Sequence, residues 1–311
     1  KKLLPQAEHW YKESARKEEG ITPRPLLGLL RIRMASNDEE NAEALILAIE
    51  KSNPKTIEGS GLSQDAAALL RKRRTTELLD RGFIPEKMTI TEMWDNLGRV
   101  VGEYPHLPIL LKQGVSPRVE IIGAEHIDML RDDNKPGIFF MAHIGNWEFS
   151  GLASEARNLP VDRVYRQANN PLTEWLLKRG RADVDGSLIP KGRAGAKKII
   201  KSLKAGNHLA MLVDQKMNDG ISVPFFGIEA MTAPAIAQLA LRFDCPVVPV
   251  RVKRLNGAYF QVIVKPPLSF SQSGDQKPDI HEFMKLVNLE IESWIRETPG
   301  QWLWVHNRWP S

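Results

Sequence analysis

Cysteine is almost absent from this chain of 311 residues, which contains only Cys245. A single cysteine cannot form an intramolecular disulfide, so the sequence gives no sign of an oxidising compartment. Cys245 precedes the apolar residues Val247 and Val248, and we expect a buried thiol. The sequence also lacks cysteine and histidine at zinc-ligand spacing and the glycine-rich loops that bind nucleotides. We therefore expect neither a metal nor a cofactor.

Long apolar runs are missing as well. No stretch of about 18 or more apolar residues occurs, and no signal peptide is recognisable. The mean hydropathy of −0.31 excludes a polytopic membrane protein. We expect a chain that does not span a bilayer as it stands. Apolar residues nevertheless make up 42% of the sequence, which is enough for a substantial core.

Acidic residues are fewer than basic ones. The chain has 38 Asp and Glu against 43 Lys and Arg, a net charge of +5 and a pI near 9.2. This excess favours acidic partners such as a phosphorylated lipid, an anionic membrane face or an acidic carrier protein. Nucleic acid fits the charge equally well, but helix-turn-helix spacing, zinc-finger pairs and basic-aromatic repeats are lacking, so we expect no nucleic-acid partner. The excess is locally strong between Arg163 and Lys204, where a solvated helix face explains much of it.

The order of predicted elements indicates an α/β fold. Residues 1–84 are predicted to form an N-terminal helical region of uncertain role, and residues 85–311 the main domain. Alternating strands and helices in the second part predict a mixed, mostly parallel sheet with flanking helices. The predicted strands are 119–122, 137–142, 161–165, 208–214, 247–253 and 258–265, of which the last two form a hairpin. The predicted helices are 89–104, 125–130, 147–158, 172–178, 193–204, a helix capped by Thr232 that ends near Phe243, and 278–297.

The stretch Gly137–Ser150, GIFFMAHIGNWEFS, carries the strongest candidates for chemistry. Its first half predicts a strand buried on both faces, and a helix follows, so His143 lies where the strand gives way to the helix. Asn146 is suited to cap that helix, which places Glu148 in the first turn, where the helix dipole favours a carboxylate. From the loop, the His143 ring can fold back onto Glu148 as a general base oriented by a carboxylate. No serine or cysteine stands beside the pair, which indicates direct attack by a substrate hydroxyl.

The motif HIGNWE (143–148) resembles the His-x4-Asp/Glu motif of the glycerolipid acyltransferase superfamily. Its Gly-Asn-Trp-Glu form is similar to the lipid A secondary acyltransferases, the lauroyl-type enzymes of Gram-negative bacteria. The resemblance continues in one order through MWDNLGRVVGEYPHL (93–107), VEIIGAEHIDML (119–130), YRQANNP (165–171), DQKMNDGISVPFFG (214–227) and PGQWLWVHNRWP (299–310). Members of this family usually begin with a hydrophobic anchoring helix, for which the apolar run at 26–30 is too short. The mode of membrane attachment therefore stays open.

The resemblance also implies roles for polar residues outside the central stretch. Arg166 and Arg181 fall on family motif positions and are implied in substrate binding or catalysis. Together with Arg179 they flank predicted element ends, and guanidinium groups hold phosphate in a bidentate manner. Asn169, within YRQANNP, and Asn146 are assigned to the same supporting set.

Asp214 ends a predicted buried strand, as His143 does. Because ligand sites gather at the carboxyl ends of neighbouring strands in such sheets, we expect the two turns to face one cleft, with Asp214 in a supporting role.

Two groups of aromatic residues each have two possible interpretations. The pair at 225–226 either lines an acyl-chain channel or packs, and Trp302, Trp304 and Trp309 either form an interfacial belt or pack in the core.

The resemblance implies an O-acyltransferase of lipopolysaccharide biosynthesis that moves a fatty acyl group from an acyl carrier protein thioester to a hydroxyl of a lipid A precursor. His143 would take the hydroxyl proton while Glu148 orients its ring. The oxyanion would be stabilised either by backbone N–H groups of the turn 144–146 or by an arginine. The implied partners are acyl carrier protein, the phosphorylated lipid A precursor and an anionic membrane surface. The implied location is the cytoplasmic face of the bacterial inner membrane, with the chain peripheral to it.

Two other functions remain open from the sequence. An acyltransferase acting on lysophospholipid, glycerol phosphate or phosphatidylinositol mannoside would share the His-x4-acid chemistry, although the Gly-Asn-Trp-Glu form and the tryptophan-rich end favour lipid A. A non-catalytic protein that binds anionic lipids would use the basic residues alone. Thioesterase activity would arise as a side reaction whenever water occupies the acceptor site.

Overall fold

A computed structural model of the protein describes residues 90–107, 118–181, 186–303 and 308–309, and five residues of the N-terminal region. The chain divides into two compact units, residues 1–83 with 311 and residues 84–310. In the first unit the described residues Leu30, Arg33, Ala42, Leu45 and Ile46 are helical, and Leu30, Ala42 and Ile46 are buried. The rest of the predicted N-terminal helical region lies outside the described residues.

Strands and helices alternate through most of the second unit. Its strands are β1 (Val119–Ile122), β2 (Ile138–Met141), β3 (Val161–Tyr165), β4 (Leu188–Pro190), β5 (His208–Leu212), β6 (Lys216–Phe225), β7 (Ile228–Thr232), β8 (Val247–Arg254) and β9 (Phe260–Val264). Its α-helices are α1 (Ile90–Glu103), α2 (Glu125–Asp132), α3 (Ser150–Glu155), α4 (Pro171–Gly180), α5 (Arg193–Lys204), α6 (Ala235–Phe243) and α7 (Gln276–Glu297). Single turns of 3₁₀ helix occur at Tyr104–His106, Trp147–Phe149 and Pro299–Gln301.

Seven of the strands form one sheet in the order β1-β9-β8-β2-β5-β3-β4. All neighbours in it run parallel except β8 and β9, which form the predicted antiparallel hairpin. The prediction of a mixed, mostly parallel sheet flanked by helices is confirmed. β2 lies at the centre, and all four of its residues are buried because helices cover both faces of a parallel sheet.

The hydrophobic core lies on both faces of β2. On one face Phe149 packs against Phe260, with ring centroids 4.4 Å apart. On the other face Phe140 stacks on Trp294 of α7 at 5.7 Å. Phe149 is fully buried and ends the 3₁₀ turn after His143, so the core fixes the position of this turn.

Four parts of the structure differ from the predictions, and one of them is the short strand β4, which was not predicted. The antiparallel pair β6 and β7 was not predicted, because residues 216–220 are mostly polar and contain Asp219 and Gly220, which indicate a turn. Thr232 does not cap a helix; it belongs to β7, and the helix after it begins at Ala235 with Pro234 at the N-cap. The helix predicted over 147–158 is a 3₁₀ turn followed by α3, which ends at Glu155.

The aromatic residues near the C-terminus pack in the interior. Phe225 lies 5.7 Å from Trp309 and 5.8 Å from Trp302 between ring centroids, and the Trp309 indole donates a hydrogen bond to the Phe225 carbonyl at 2.9 Å. Phe225, Phe226, Trp302 and Trp309 are all buried. The packing interpretation therefore holds for these four, and the interfacial-belt interpretation is wrong for Trp302 and Trp309. Trp304 lies outside the described residues.

Two further predictions can be compared with the described residues. Cys245 is buried as predicted, and burial raises the pKa of its thiol to about 11. Within the described ranges, every helix is too short or too polar to cross a bilayer.

Candidate active site

Polar residues follow the carboxyl ends of four neighbouring strands of the sheet. His143 follows β2 and Asp214 follows β5, while Arg166 and Lys191 come directly after β3 and β4. Because these strands are parallel, their carboxyl ends meet at one edge of the sheet, where ligands bind in this class of fold. A cleft of about 700 Å³ lies at this edge.

The cleft combines cationic and apolar side chains in its wall. The predicted residues His143, Glu148, Arg166, Arg179 and Arg181 all line it. The other lining residues include Lys191 and the apolar or aromatic side chains of Leu97, Val100, Val101, Trp147, Val164, Trp175, Leu176 and Leu212. The predicted Asn169 is exposed and does not line the described cleft.

The register of β2 and β5 brings His143 and Asp214 together. Met141 pairs with Leu212, so the residues two positions beyond each of them lie side by side. The His143 ring Nδ1 is 2.7 Å from Asp214 Oδ1, and the His143 backbone N–H donates to Asp214 Oδ2 at 3.0 Å. The expectation that the two turns face one cleft is confirmed.

Trp302 completes the surroundings of the Asp214 carboxylate. Its indole N–H donates to Asp214 Oδ2 at 2.9 Å. Burial raises the pKa of Asp214, but the His143 ring, the His143 backbone N–H and the Trp302 indole together outweigh burial and lower the pKa of this carboxyl. The ionised Asp214 carboxylate accepts a hydrogen bond from the His143 Nδ1–H group. The ring therefore keeps its proton on Nδ1, and Nε2 is the nitrogen that can take a further proton.

Glu148 does not orient the His143 ring, and the prediction of that role is wrong: the ring's hydrogen bond goes to Asp214. Glu148 Oε1 accepts hydrogen bonds from Tyr104 at 2.8 Å, the Trp147 indole at 3.1 Å and Arg181 at 2.6 Å. Its Oε2 accepts a second bond from Arg181, from Nε at 2.9 Å. Glu148 lies five residues after His143, within a 3₁₀ turn that directs its side chain to different partners from those of His143.

The Glu148 and Arg181 side chains form a buried, fully ionised pair. Burial raises the pKa of Glu148, but the hydrogen bonds and charge of Arg181, followed by Tyr104, outweigh it and lower this pKa. Burial lowers the pKa of Arg181, and Glu148 outweighs that effect and raises it. The pKa of the Tyr104 phenol is raised, first by burial and then by the Glu148 charge, so Tyr104 remains a donor. Glu148 therefore holds Arg181 and Trp147 in the cleft wall and is not placed to exchange protons.

Asn146 caps the turn after His143, as predicted. Its side-chain oxygen accepts a hydrogen bond from the Glu148 backbone N–H at 3.2 Å, and its amide donates to Glu103 of α1 at 2.7 Å. Asn96 of the same helix donates to the Gly145 carbonyl at 2.9 Å. The turn is thus attached to α1 by side chains that the sequence analysis did not single out.

The backbone N–H groups at the start of this turn already have acceptors within the protein. Ile144 N–H donates to the Ala142 carbonyl at 2.8 Å, and Gly145 N–H donates to the Gln301 carbonyl at 3.1 Å. Two of the three backbone N–H groups of 144–146, which the sequence offered as oxyanion donors, are thus already used. Cationic side chains in the cleft become the better option.

Gly145 is required by the geometry of the turn. Its φ is +61°, and a Cβ atom there would lie 2.5 Å from the Val252 carbonyl oxygen. We expect Gly145→Ala to lower the free energy of unfolding by about 1–3 kcal/mol from backbone strain, and by about 1–3 kcal/mol more from the forced contact. Gly206→Ala is the matched control, because Gly206 has a φ of +81° and open space around it. Thermal unfolding of both variants measures the difference, and equal losses would show that the turn can move away from Val252.

Three cations of the cleft have no described carboxylate partner. Arg166, Arg179 and Lys191 form no ion pair with any residue in the described ranges, whereas Arg181 is paired with Glu148. Arg179 lies over the Trp175 ring, 5.6 Å from its centroid. Partial burial lowers the pKa of Lys191, Asp214 opposes this shift, and Arg166 adds to it. These cations are available to bind an anionic ligand.

Sequence reasoning gave no individual role to Tyr104, Trp302 or Lys191. Lys191 was only part of the basic excess, because β4 has three residues and is too short to be recognised by pattern. Tyr104 and Trp302 lie 44 and 88 residues from the carboxylates they contact, so no local spacing points to them. Among the described residues no group of histidine, cysteine, aspartate and glutamate could hold a metal ion.

Comparisons with known proteins bear on the unit that carries this cleft. Residues 84–311 match the sequence profile of the family described as bacterial lipid A biosynthesis acyltransferase. The chain is 24% identical over 223 residues to a lipid A biosynthesis acyltransferase of Haemophilus influenzae, covering 70% of this chain and 68% of that protein. It is 28% identical over 196 residues to the lipid A biosynthesis lauroyltransferase of Escherichia coli, covering 62% of each. It is 23% identical over 234 residues to the E. coli lipid A biosynthesis myristoyltransferase, covering 73% of this chain and 69% of that protein.

Among solved structures, the chain is similar to the 1-acyl-sn-glycerophosphate acyltransferase PlsC of Thermotoga maritima. The TM-score is 0.33 at 14% identity, over 71% of this chain and 89% of that chain. The curated relatives are matched over about two thirds of their length or slightly less. The family profile, by contrast, covers the whole of the unit that holds the cleft. The chain therefore belongs to the bacterial lipid A biosynthesis acyltransferase family, as the resemblance of its motifs indicated.

Proposed function

We propose that this protein transfers a fatty acyl group from the thioester of acyl carrier protein to a hydroxyl group of a phosphorylated lipid A precursor. The observation that carries the proposal is His143, which is hydrogen-bonded to the buried Asp214 and lines a cleft together with apolar side chains and cations that have no described carboxylate partner. The base can activate a hydroxyl, the cations can hold phosphate and the apolar wall can hold acyl chains. A protein that only binds anionic lipids has no use for a buried carboxylate that fixes one histidine tautomer.

His143 acts as the general base. Its Nε2 takes the proton of the acceptor hydroxyl as that oxygen attacks the thioester carbonyl. Asp214 holds the ring through Nδ1 and stabilises the imidazolium that forms. When the tetrahedral intermediate collapses, the new C–O ester bond remains, the C–S bond breaks, and the proton on Nε2 passes to the departing thiolate. His143 thus returns to its starting protonation state, and no covalent enzyme intermediate is needed.

Lys191 stabilises the tetrahedral oxyanion in this mechanism, with Arg166 beside it. Both groups line the cleft, Lys191 interacts with the charges of Asp214 and Arg166, and the backbone N–H groups of 144 and 145 already have acceptors. Removing one donor to an oxyanion lowers kcat by roughly 10²- to 10³-fold in other acyl-transfer enzymes. Arg179, which also has no described carboxylate partner, is left to bind a phosphate group of the acceptor.

The pH profile tests the role of Lys191. Because the pKa of Lys191 is lowered from its ordinary value of 10.5, the ammonium group loses its charge at lower pH than an ordinary lysine. We expect kcat to fall on the alkaline side in the wild type, and Lys191→Arg to remove this fall because a guanidinium does not titrate there. Lys191→Met should lose roughly 10²- to 10³-fold in kcat at neutral pH. Lys285→Met, on α7, is the control, and an unchanged alkaline fall in Lys191→Arg would contradict the assignment.

The mouth of the cleft exposes apolar side chains beside its cations. Val101 is 63% exposed, Trp175 53% and Leu176 49%, and all three line the cleft. Indole and aliphatic groups next to arginine suit the interface of an anionic membrane. We place the protein at the cytoplasmic face of the inner membrane, with this mouth toward the bilayer that holds the acceptor.

The proposal is tested by incubating the protein with acyl carrier protein bearing a range of acyl chains, with and without a tetra-acylated lipid A precursor. Mass spectrometry of the lipid should show the gain of one acyl group. Coenzyme A thioesters in place of the carrier, and lysophospholipid or glycerol phosphate in place of the precursor, test the donor and the acceptor separately. Intact thioester and unchanged lipid with every combination would refute acyl transfer and favour a lipid-binding protein.

A further inference from the structure

The exposed face of α5 is strongly basic and has no part in the mechanism above. It carries Arg193, Lys197, Lys198, Lys201 and Lys204, all exposed, and the helix contains no acidic residue. None of the five forms an ion pair with a residue in the described part of the chain. The opposite side of the helix carries Ile199, Ile200 and Leu203, of which Leu203 is fully buried against the sheet. The basic face therefore points outward.

Several exposed cations on other elements of this protein have acidic neighbours. Arg131 on α2 pairs with Asp128 and Asp132. Lys253 on β8 pairs with Glu297 at 2.6 Å, and other basic residues pair along α7. The lack of partners on α5 is thus not a general property of the surface.

The charge pattern of α5 stabilises the helix only in its last turn, where Lys201 and Lys204 lie at the negative end of the helix dipole. Arg193 lies in the first turn, at the positive end of the helix dipole, where a cation is unfavourable. Like charges also recur at spacings of three or four, as in Arg193 with Lys197 and Lys197 with Lys201, and such pairs destabilise a helix. The cations in the first and middle turns of α5 are thus not explained by the stability of the helix.

The position of α5 connects this face with the cleft. The helix begins two residues after Lys191, which lines the cleft at the end of β4. A helix of 12 residues is about 18 Å long, so the basic face extends from the cleft edge along the side of the protein. A donor that docks on this face therefore lies beside the cleft that contains His143.

The composition of this face distinguishes an acidic protein from a bilayer. Apart from the cations, its exposed residues are alanines at 194, 196 and 205. A helix that lies in a membrane interface needs tryptophan, phenylalanine or leucine to insert, and those side chains are exposed instead at the cleft mouth on α1 and α4. The two surfaces thus have different chemistry, one purely cationic and the other apolar with cations.

We infer that the exposed face of α5 is the docking surface for an acidic carrier protein that delivers the acyl thioester. This inference rests on the proposed function, since it names the partner that brings the donor to the same cleft. Complementary charge raises the association rate and depends on ionic strength, so docking of this kind acts on the Michaelis constant for the carrier rather than on the chemical step.

The test compares a triple variant with a matched control. Lys197→Ala/Lys198→Ala/Lys201→Ala removes three charges from α5 without loss of helix propensity. Lys135→Ala/Lys277→Ala/Lys285→Ala removes three charges elsewhere. Fluorescence anisotropy with a labelled acyl carrier protein gives the Kd, and steady-state kinetics give the KM for the carrier thioester and for a short acyl-pantetheine thioester.

We expect the α5 variant to raise the Kd and KM for the carrier by about 10-fold at low salt, since each exposed charge contributes modestly. The difference should disappear near 1 M salt. Turnover of the acyl-pantetheine should be unchanged, and the corresponding triple Lys→Arg variant should behave as the wild type. The control triple variant should keep its affinity for the carrier.

Three outcomes would separate the possible failures. An unchanged Kd for the carrier in the α5 variant would overturn the inference. If the α5 variant no longer floats with phosphatidylglycerol vesicles but keeps its affinity for the carrier, α5 contacts a membrane and the inference is overturned. If the wild type binds the carrier through α5 but transfers no acyl group to any acceptor, the docking surface stands and the proposed function fails.

Discussion

Replacing His143 by alanine is expected to lower kcat for acyl transfer by at least about 10²- to 10⁴-fold, the contribution of a positioned general base. Asp214→Asn should reduce kcat by a comparable factor, because an amide does not fix the required tautomer or stabilise the imidazolium. Measured turnover with the carrier thioester and the lipid precursor gives both values. The loss should appear in kcat rather than in KM, since neither residue is needed to hold the acyl chain or the phosphates.

The two residues should also act as one unit. Asp214 acts on the reaction only through the His143 ring, so the double variant His143→Ala/Asp214→Asn should have a kcat little lower than that of His143→Ala alone. His281→Ala, an exposed histidine on α7, is the control and should retain wild-type turnover. Turnover near the wild-type value in His143→Ala would refute general base catalysis by this residue. Fully additive losses would show that Asp214 acts independently of the ring.

The sequence predicted where the candidate site lies but not how its residues pair. β2 and β5 are recognisable because their apolar runs are continuous, and this placed His143 and Asp214 at one edge of the sheet. The contact between them depends on the register that sets Met141 opposite Leu212. Register between strands about 70 residues apart is fixed by packing of the whole sheet, and no local pattern reveals it.

Nearness in sequence misled the assignment of Glu148. A separation of five residues suggested a contact with His143, but the 3₁₀ turn capped by Asn146 aims Glu148 at Tyr104 and Arg181. The arginine was predicted as a substrate-binding residue, and its charge is in fact already compensated inside the protein. The distinction matters for the anionic ligand, because among the described cations that line the cleft only Arg166, Arg179 and Lys191 have no described carboxylate partner.

Glu148→Gln tests the buried pair and should mainly reduce stability. The amide can accept hydrogen bonds on one atom only, and it leaves the charge of Arg181 uncompensated in a largely buried site. Removing one partner of a buried ion pair costs about 3–5 kcal/mol, so we expect a large fall in the free energy of unfolding. The kcat should fall as well, because Arg181 and Trp147 lose their common anchor in the cleft wall.

Two further variants test whether Glu148 serves as the buried partner of Arg181 or orients the His143 ring. Glu174→Gln is a matched control, since Glu174 is also buried and bonded to a tyrosine, Tyr165, but its cation Lys178 is 54% exposed. The fall in the free energy of unfolding should be much smaller than that of Glu148→Gln, because an ion pair with an exposed partner contributes little. Glu148→Leu/Arg181→Met removes both charges and should recover most of the stability lost in Glu148→Gln, because the isolated buried charge is the main cost. If Glu148→Gln instead keeps wild-type stability and its loss of kcat is non-additive with His143→Ala, Glu148 acts on the histidine after all.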